Sequence, residues 1–203
     1  ASDNAGEPGV YDLRDLHFTD VNQDGTNDLC FMYRDSVGAY DLRCVLFVTA
    51  AFGSVPTTPG RVLTIGNRDW ARGFYDVNGD GYPDYCGLEP GYIRCALNSK
   101  NGVVVGAHYG SGSLSAVTQH EKGSTFVDIN GDGNTDFCRL TEPVDGSFRM
   151  SCRLSTGKGW ETVDRSTDQY IQKGDAENRW WADINGDGLP DFCRAVGADP
   201  DEG

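Results

Sequence analysis

Apolar residues in this chain come in short bursts set around four polar turns. Phe18, Phe74, Phe126 and Trp181 each stand two residues before a turn, and Leu29, Tyr85, Phe137 and Phe192 stand directly after one. Stretches such as Leu29-Cys-Phe-Met-Tyr33, Tyr40-Asp-Leu-Arg-Cys-Val-Leu-Phe-Val48 and Tyr92-Ile-Arg-Cys-Ala-Leu97 are rich in aromatic and β-branched residues. Their length and composition predict strands, and a strand on each side of a tight turn predicts a β-hairpin. Further strands are expected at Phe148-Arg-Met-Ser-Cys-Arg-Leu154 and, closing the first unit after a Gly/Pro-rich connection, at Arg61-Val-Leu-Thr-Ile65. No apolar run approaches the ~20 residues of a membrane-spanning helix.

The turns are copies of one nonapeptide, Asp-x-Asn-x-Asp-Gly-x-x-Asp. They read Asp20-Val-Asn-Gln-Asp-Gly-Thr-Asn-Asp28, Asp76-Val-Asn-Gly-Asp-Gly-Tyr-Pro-Asp84, Asp128-Ile-Asn-Gly-Asp-Gly-Asn-Thr-Asp136 and Asp183-Ile-Asn-Gly-Asp-Gly-Leu-Pro-Asp191. Their first residues, 20, 76, 128 and 183, are 56, 52 and 55 residues apart. That period suits one four-stranded unit. It divides the chain into an N-terminal segment at 1–15 with one strand at most, repeats at 16–67, 68–122 and 123–178, and a partial repeat at 179–203. The expected fold class is therefore all-β.

The spacing within each turn has its own chemistry. A hard cation such as Ca²⁺ takes six to eight oxygens from a sharply bent loop. Side chains at positions one, three, five and nine supply Asp20, Asn22, Asp24 and Asp28; Asp76, Asn78, Asp80 and Asp84; Asp128, Asn130, Asp132 and Asp136; and Asp183, Asn185, Asp187 and Asp191. The seventh positions, Thr26, Tyr82, Asn134 and Leu189, offer backbone carbonyls. Position six is glycine in all four, the residue that reverses the chain without a Cβ clash. An EF-hand is excluded, because position twelve is Phe31, Gly87, Arg139 or Arg194 where that loop needs a bidentate Glu. Four Ca²⁺ ions are the expected cofactors.

The net charge of −14 follows from the same loops. Three aspartates in each of four make 12 negative charges, and the rest of the chain is close to balanced. Four Ca²⁺ ions would return eight units. No basic stripe exists to bind phosphates, so nucleic acid is not an expected partner.

Seven cysteines keep the repeat's phase. Cys30, Cys86, Cys138 and Cys193 lie two residues after a loop, and Cys44, Cys95 and Cys152 lie on the following strand. Neighbouring antiparallel strands bring opposite residues within disulfide reach, which predicts Cys30–Cys44, Cys86–Cys95 and Cys138–Cys152. A zinc site is disfavoured, since no CxxC occurs. Disulfides and modest-affinity calcium loops both suit a secreted or cell-surface protein. Ala1-Ser-Asp-Asn reads as a mature start after signal cleavage. Cys193 has no partner in its own repeat. Three readings stay open: a fragment of a longer repeat protein, a fourth unit completed by another copy, or a free thiol.

The nonapeptide, its period and its flanking aromatics resemble the FG-GAP/VCBS repeat family, and Cys44-Val-Leu, Cys95-Ala-Leu and Cys152-Arg-Leu-Ser-Thr-Gly-Lys-Gly-Trp160 resemble a cysteine-bearing secreted branch of it. The resemblance implies β-propeller-type blades, about three and a half here, each with a calcium loop between its first two strands. Rings of that family have six to eight blades, so two copies or an open array are implied.

Function on this reading is a non-catalytic, extracellular calcium-binding module that engages glycans or proteins in adhesion. The alternative is a structural or accessory scaffold: a self-assembling filament, or a repeat region appended to a secreted hydrolase. An enzyme is not expected, for G-x-S-x-G and H-E-x-x-H are both absent. Trp180 and Trp160 are the candidate ligand-binding rings, whereas Trp181, two residues before its loop, is expected in the core.

Overall fold

The structure, a computed structural model, describes residues 14–34, 40–48, 51–56, 72–89, 91–98, 104–114, 124–144, 147–172 and 178–195. Among the described residues there are strands and tight turns and no α-helix. Sheet I comprises β1 (Arg14–Thr19), β2 (Asp28–Arg34), β3 (Tyr40–Val48) and β4 (Ala51–Pro56). Sheet II comprises β5 (Gly73–Tyr75), β6 (Asp84–Glu89), β7 (Tyr92–Asn98) and β8 (Val104–Gly110). Sheet III comprises β9 (Thr125–Val127), β10 (Asp136–Val144), β11 (Ser147–Arg153) and β12 (Arg165–Ser166). Sheet IV is the pair β13 (Arg179–Ala182) and β14 (Asp191–Arg194). Strands follow chain order in every sheet, and all neighbours are antiparallel.

Each nonapeptide joins the first two strands of its sheet, as the hairpin pattern predicts. One strand differs from expectation. Arg61–Ile65 lies outside the described residues, and the fourth strand of sheet I is Ala51–Pro56. Val48 pairs with Ala51, so the chain reverses before the Gly/Pro-rich stretch rather than through it.

The three predicted disulfides are present. Each joins residues directly opposite in the second and third strands: Cys30 to Cys44, Cys86 to Cys95 and Cys138 to Cys152. Cys193 carries a free, buried thiol opposite Trp180.

The core lies between sheets. Phe74 packs on Val21, Cys30 and Cys44 of sheet I, and Tyr85 on Met32 and Leu42. Phe126, Phe137 and Trp160 pack on Val77, Leu88, Ile93 and the Cys86–Cys95 bridge of sheet II. Trp181 and Phe192 pack on the Cys138–Cys152 region of sheet III. The apolar bursts that bracket each turn are thus the side chains by which a sheet enters the one before it. A large side chain buried this way stabilises by about 1.5–3 kcal/mol. Alternation along a strand sends one set of residues to each face, so a short strand serves two junctions at once.

Candidate metal loops and the adjoining surface

The four loops share one hydrogen-bond scheme. The first aspartate accepts the N–H of the glycine at position six: Gly25 to Asp20 at 2.8 Å, Gly81 to Asp76 at 2.7 Å, Gly133 to Asp128 at 2.9 Å and Gly188 to Asp183 at 2.8 Å. Its other oxygen accepts the N–H of position five at 3.1–3.2 Å. The asparagine Oδ1 accepts that same N–H, and the aspartate at position five accepts the N–H of position seven. These contacts need position six in the left-handed region, and Gly25, Gly81, Gly133 and Gly188 have φ of 87°, 88°, 87° and 86°. The loops are therefore tight turns whose short acidic side chains fold over their own backbone.

The ninth aspartate behaves differently. Asp28, Asp84 and Asp136 are 0% exposed. One oxygen of each accepts the N–H of the loop's second residue at 3.2 Å. The other accepts an N–H from the third strand or just beyond it: Phe47 at 2.8 Å, Asn98 at 2.7 Å and Ser155 at 2.7 Å. Burial pushes Asp84 and Asp136 up to about 7, with the other two carboxylates of each loop adding to the rise and the two N–H groups opposing it. Asp28 is raised for the same reasons. Asp191 accepts only Ile184 N–H, at 3.1 Å, among the described residues.

The donor set suits a hard cation. Every side chain is a carboxylate or amide oxygen, the backbone is already bent, and a carboxylate oxygen that accepts one N–H keeps a second lone pair. Among the described residues no group of three or more His, Cys, Asp or Glu is arranged to hold an ion. The carboxylates lie on backbone N–H groups, so an ion would have to draw them inward against mutual repulsion.

Loops of successive sheets interlock. Gln23 Nε2 hydrogen-bonds the Gly81 carbonyl. Thr135 N–H donates to the Asp76 carbonyl at 2.8 Å. Asn98 Nδ2 donates to Val21 carbonyl at 2.8 Å, and Ser155 Oγ to Val77 carbonyl. Asn98 and Ser155 each stand three residues after the second cysteine of their repeat, and sequence reasoning passed over them. Their phase was the available signal. Also unforeseen were two charged clusters. Asp164 binds Arg139 Nη2 at 2.5 Å and Arg153 Nε at 2.6 Å, where both arginines are buried. Asp15 accepts from Tyr85 and contacts His17 at 2.8 Å; burial opposes its ionisation, but His17, Tyr85 and Arg72 together hold it below its usual range.

Of the aromatic candidates, Trp180 is 50% exposed. It borders a cavity of about 330 Å³ lined by Ser124, Thr125, Arg179 and Trp181. Trp181 is core, 5.3 Å from Phe192 centroid to centroid. Trp160 corrects the expectation. It is buried against Tyr109 and Phe126, because the Gly-rich turn before it folds the ring back into the junction of sheets II and III. A groove of about 550 Å³ runs between sheets III and IV, lined in part by Met150, Leu154, Ile171, Trp181 and Phe192, with Arg165 and Arg194 at its edge.

Residues 76–138, from the second loop to just past the third, match the FG-GAP-like repeat family. A curated relative is the NAD(+)--arginine ADP-ribosyltransferase Chelt of Vibrio cholerae, 29% identical over 161 residues. The match takes in 76% of this chain and 25% of that protein, so the chain spans about a quarter of the relative's length. Among solved structures the chain resembles the Photorhabdus luminescens Tc holotoxin pore, with a TM-score of 0.52 and 16% identity over 88% of this chain and 10% of that one. The likeness is one of fold. The expectation that the protein is not an enzyme is overturned by the first of these relatives, which is a transferase. Absent hydrolase motifs had been read as absent enzymology, but a hairpin repeat bears no mark of the catalyst it is joined to.

Proposed function

We propose that this chain is the calcium-organised binding region of an arginine-specific ADP-ribosylating protein, its sheets being blades of the propeller type. The observation that carries the reading is the match to a transferase through most of this chain and a quarter of that protein. The FG-GAP-like repeat at 76–138 and the four equal loops support the blade assignment. Calcium would be held by the first, third, fifth and ninth side chains of each nonapeptide with the seventh carbonyl. The ion supplies charge neutralisation that lets three carboxylates share one turn. The chain's own residues fix the hairpin and align it with the next loop. Disulfides and millimolar calcium place the region outside the cytosol.

The binding face is assigned to Trp180. An exposed indole beside Ser124, Thr125 and Arg179 offers an apolar platform with polar groups at its margin, the make-up of a sugar site. Two experiments test the whole. The protein that contains this region, given labelled NAD⁺ and an arginine-bearing acceptor, should transfer label to it; no transfer would refute the enzymatic assignment. A glycan array probed with and without calcium should show binding lost in Trp180→Ala with an unchanged melt. Equal binding by that variant would refute the assigned face.

A further inference from the structure

The three junctions between sheets are built alike, and their two halves recur uncovered at the ends of the series. At each junction the following sheet inserts two side chains, the one two residues before its loop and the one directly after it: Phe74 and Tyr85, Phe126 and Phe137, Trp181 and Phe192. The preceding sheet receives them on its disulfide and on the loop's second residue. Val21 and Val77 are 0% exposed for this reason. The loops also nest. A Cβ on Gly79 would meet Asn134 of the next loop at 2.7 Å, and one on Gly131 would meet Leu189 at 2.8 Å.

Sheet I carries the inserting half with nothing described to receive it. Phe18 is 69% exposed and Leu16 57%. Sheet IV carries the receiving half with nothing described to fill it. Ile184, the counterpart of Val21 and Val77, is 68% exposed. A Cβ on Gly186, the counterpart of Gly79 and Gly131, would meet nothing within 4 Å.

We propose that these two faces are the halves of a fourth junction, and that a second copy of this chain docks its first sheet on the fourth sheet of the first, head to tail. Phe18 and Leu29 of one copy would lie over Ile184 of the other, with Thr26 of the incoming loop at Gly186. The occupant is a second copy because the two faces repeat, residue for residue, a contact the chain already makes three times. Such an interface is heterologous: it closes into a ring where the rotation permits and otherwise extends. The proposal rests on packing alone and does not depend on the enzymatic reading.

The test is mass by light scattering in calcium across a concentration series. The wild-type chain should pass from one copy to two or more as concentration rises. Phe18→Asp and Ile184→Asp should each be monomeric, with melting temperatures unchanged because both side chains are exposed. Mixed together, they should form a one-to-one dimer and nothing larger, since one intact face remains on each. A wild-type chain that stays monomeric would overturn the proposal and leave both faces to other segments or chains. So would a dimer that survives in either variant alone, or one held by a Cys193–Cys193 bridge on a non-reducing gel, which would be a symmetric edge-to-edge pair instead.

Discussion

Replacing Asp164 by alanine removes the one carboxylate shared by two buried guanidinium groups. Arg139 is 1% exposed and Arg153 is 3% exposed, and Asp164 meets them at 2.5 and 2.6 Å. Arg153 keeps its bond to the Glu161 carbonyl at 3.1 Å, so the variant does not strip it bare. Breaking a buried charge pair from one side costs about 3–5 kcal/mol, because the remaining charge is desolvated without its counterion. For a chain of 203 residues each kcal/mol moves the melting temperature by roughly 2–4 °C. The expected fall is therefore on the order of 10 °C, read by calorimetry or circular dichroism in calcium. The triple change Arg139→Met, Arg153→Met and Asp164→Leu should recover most of it, since apolar groups of similar volume replace buried ions at little net cost. A fall of under about 2 °C in Asp164→Ala, below what even 1 kcal/mol would give at the upper slope, would show that water reaches these arginines and that the cluster does not hold β10 to β11.

Calcium removal should lower the melting temperature by several degrees at least, for a site with ligand at ~100 times its dissociation constant gains about 2.7 kcal/mol and there are four such loops; an unchanged melt after verified chelation would count against the ion's structural role. In the presence of EDTA the pH dependence follows from Asp84 and Asp136, raised to about 7 from an unfolded value of 3.8. The folded state holds those protons more tightly, so this stability is full below the unfolded value and is lost as pH rises through about 7. The metal-free melt should therefore rise on acidification from about pH 8 to about pH 5, while the gain from calcium shrinks over the same window, because the ion needs ionised carboxylates; a metal-free melt that falls on acidification would contradict the assignment. Asp136→Ala should cost more than Asp191→Ala in calcium, since the former strands Ser155 N–H and Ile129 N–H while the latter frees only the exposed Ile184 N–H; equal losses in parallel melts would refute the clamp.

What the order of residues determined here is local and periodic. Nine positions repeated in phase specify where the chain bends, which glycine takes positive φ and which oxygens gather, because a tight turn is decided by the residues within it. Cysteines spaced to the same period specify their partners, because antiparallel strands joined by one turn meet in a single register. Period-two alternation marked Phe18, Phe74, Phe126 and Trp181 as apolar, but not what they touch. Only the tertiary structure decided that three of them enter the preceding sheet while Phe18 meets water. It also buried Trp160 and left Trp180 out, assigned the ninth aspartates a backbone clamp inside the sheet, and brought Asp164 to two arginines from other strands. Those outcomes turn on contacts between segments far apart in the chain, and no single repeat contains both sides of such a contact.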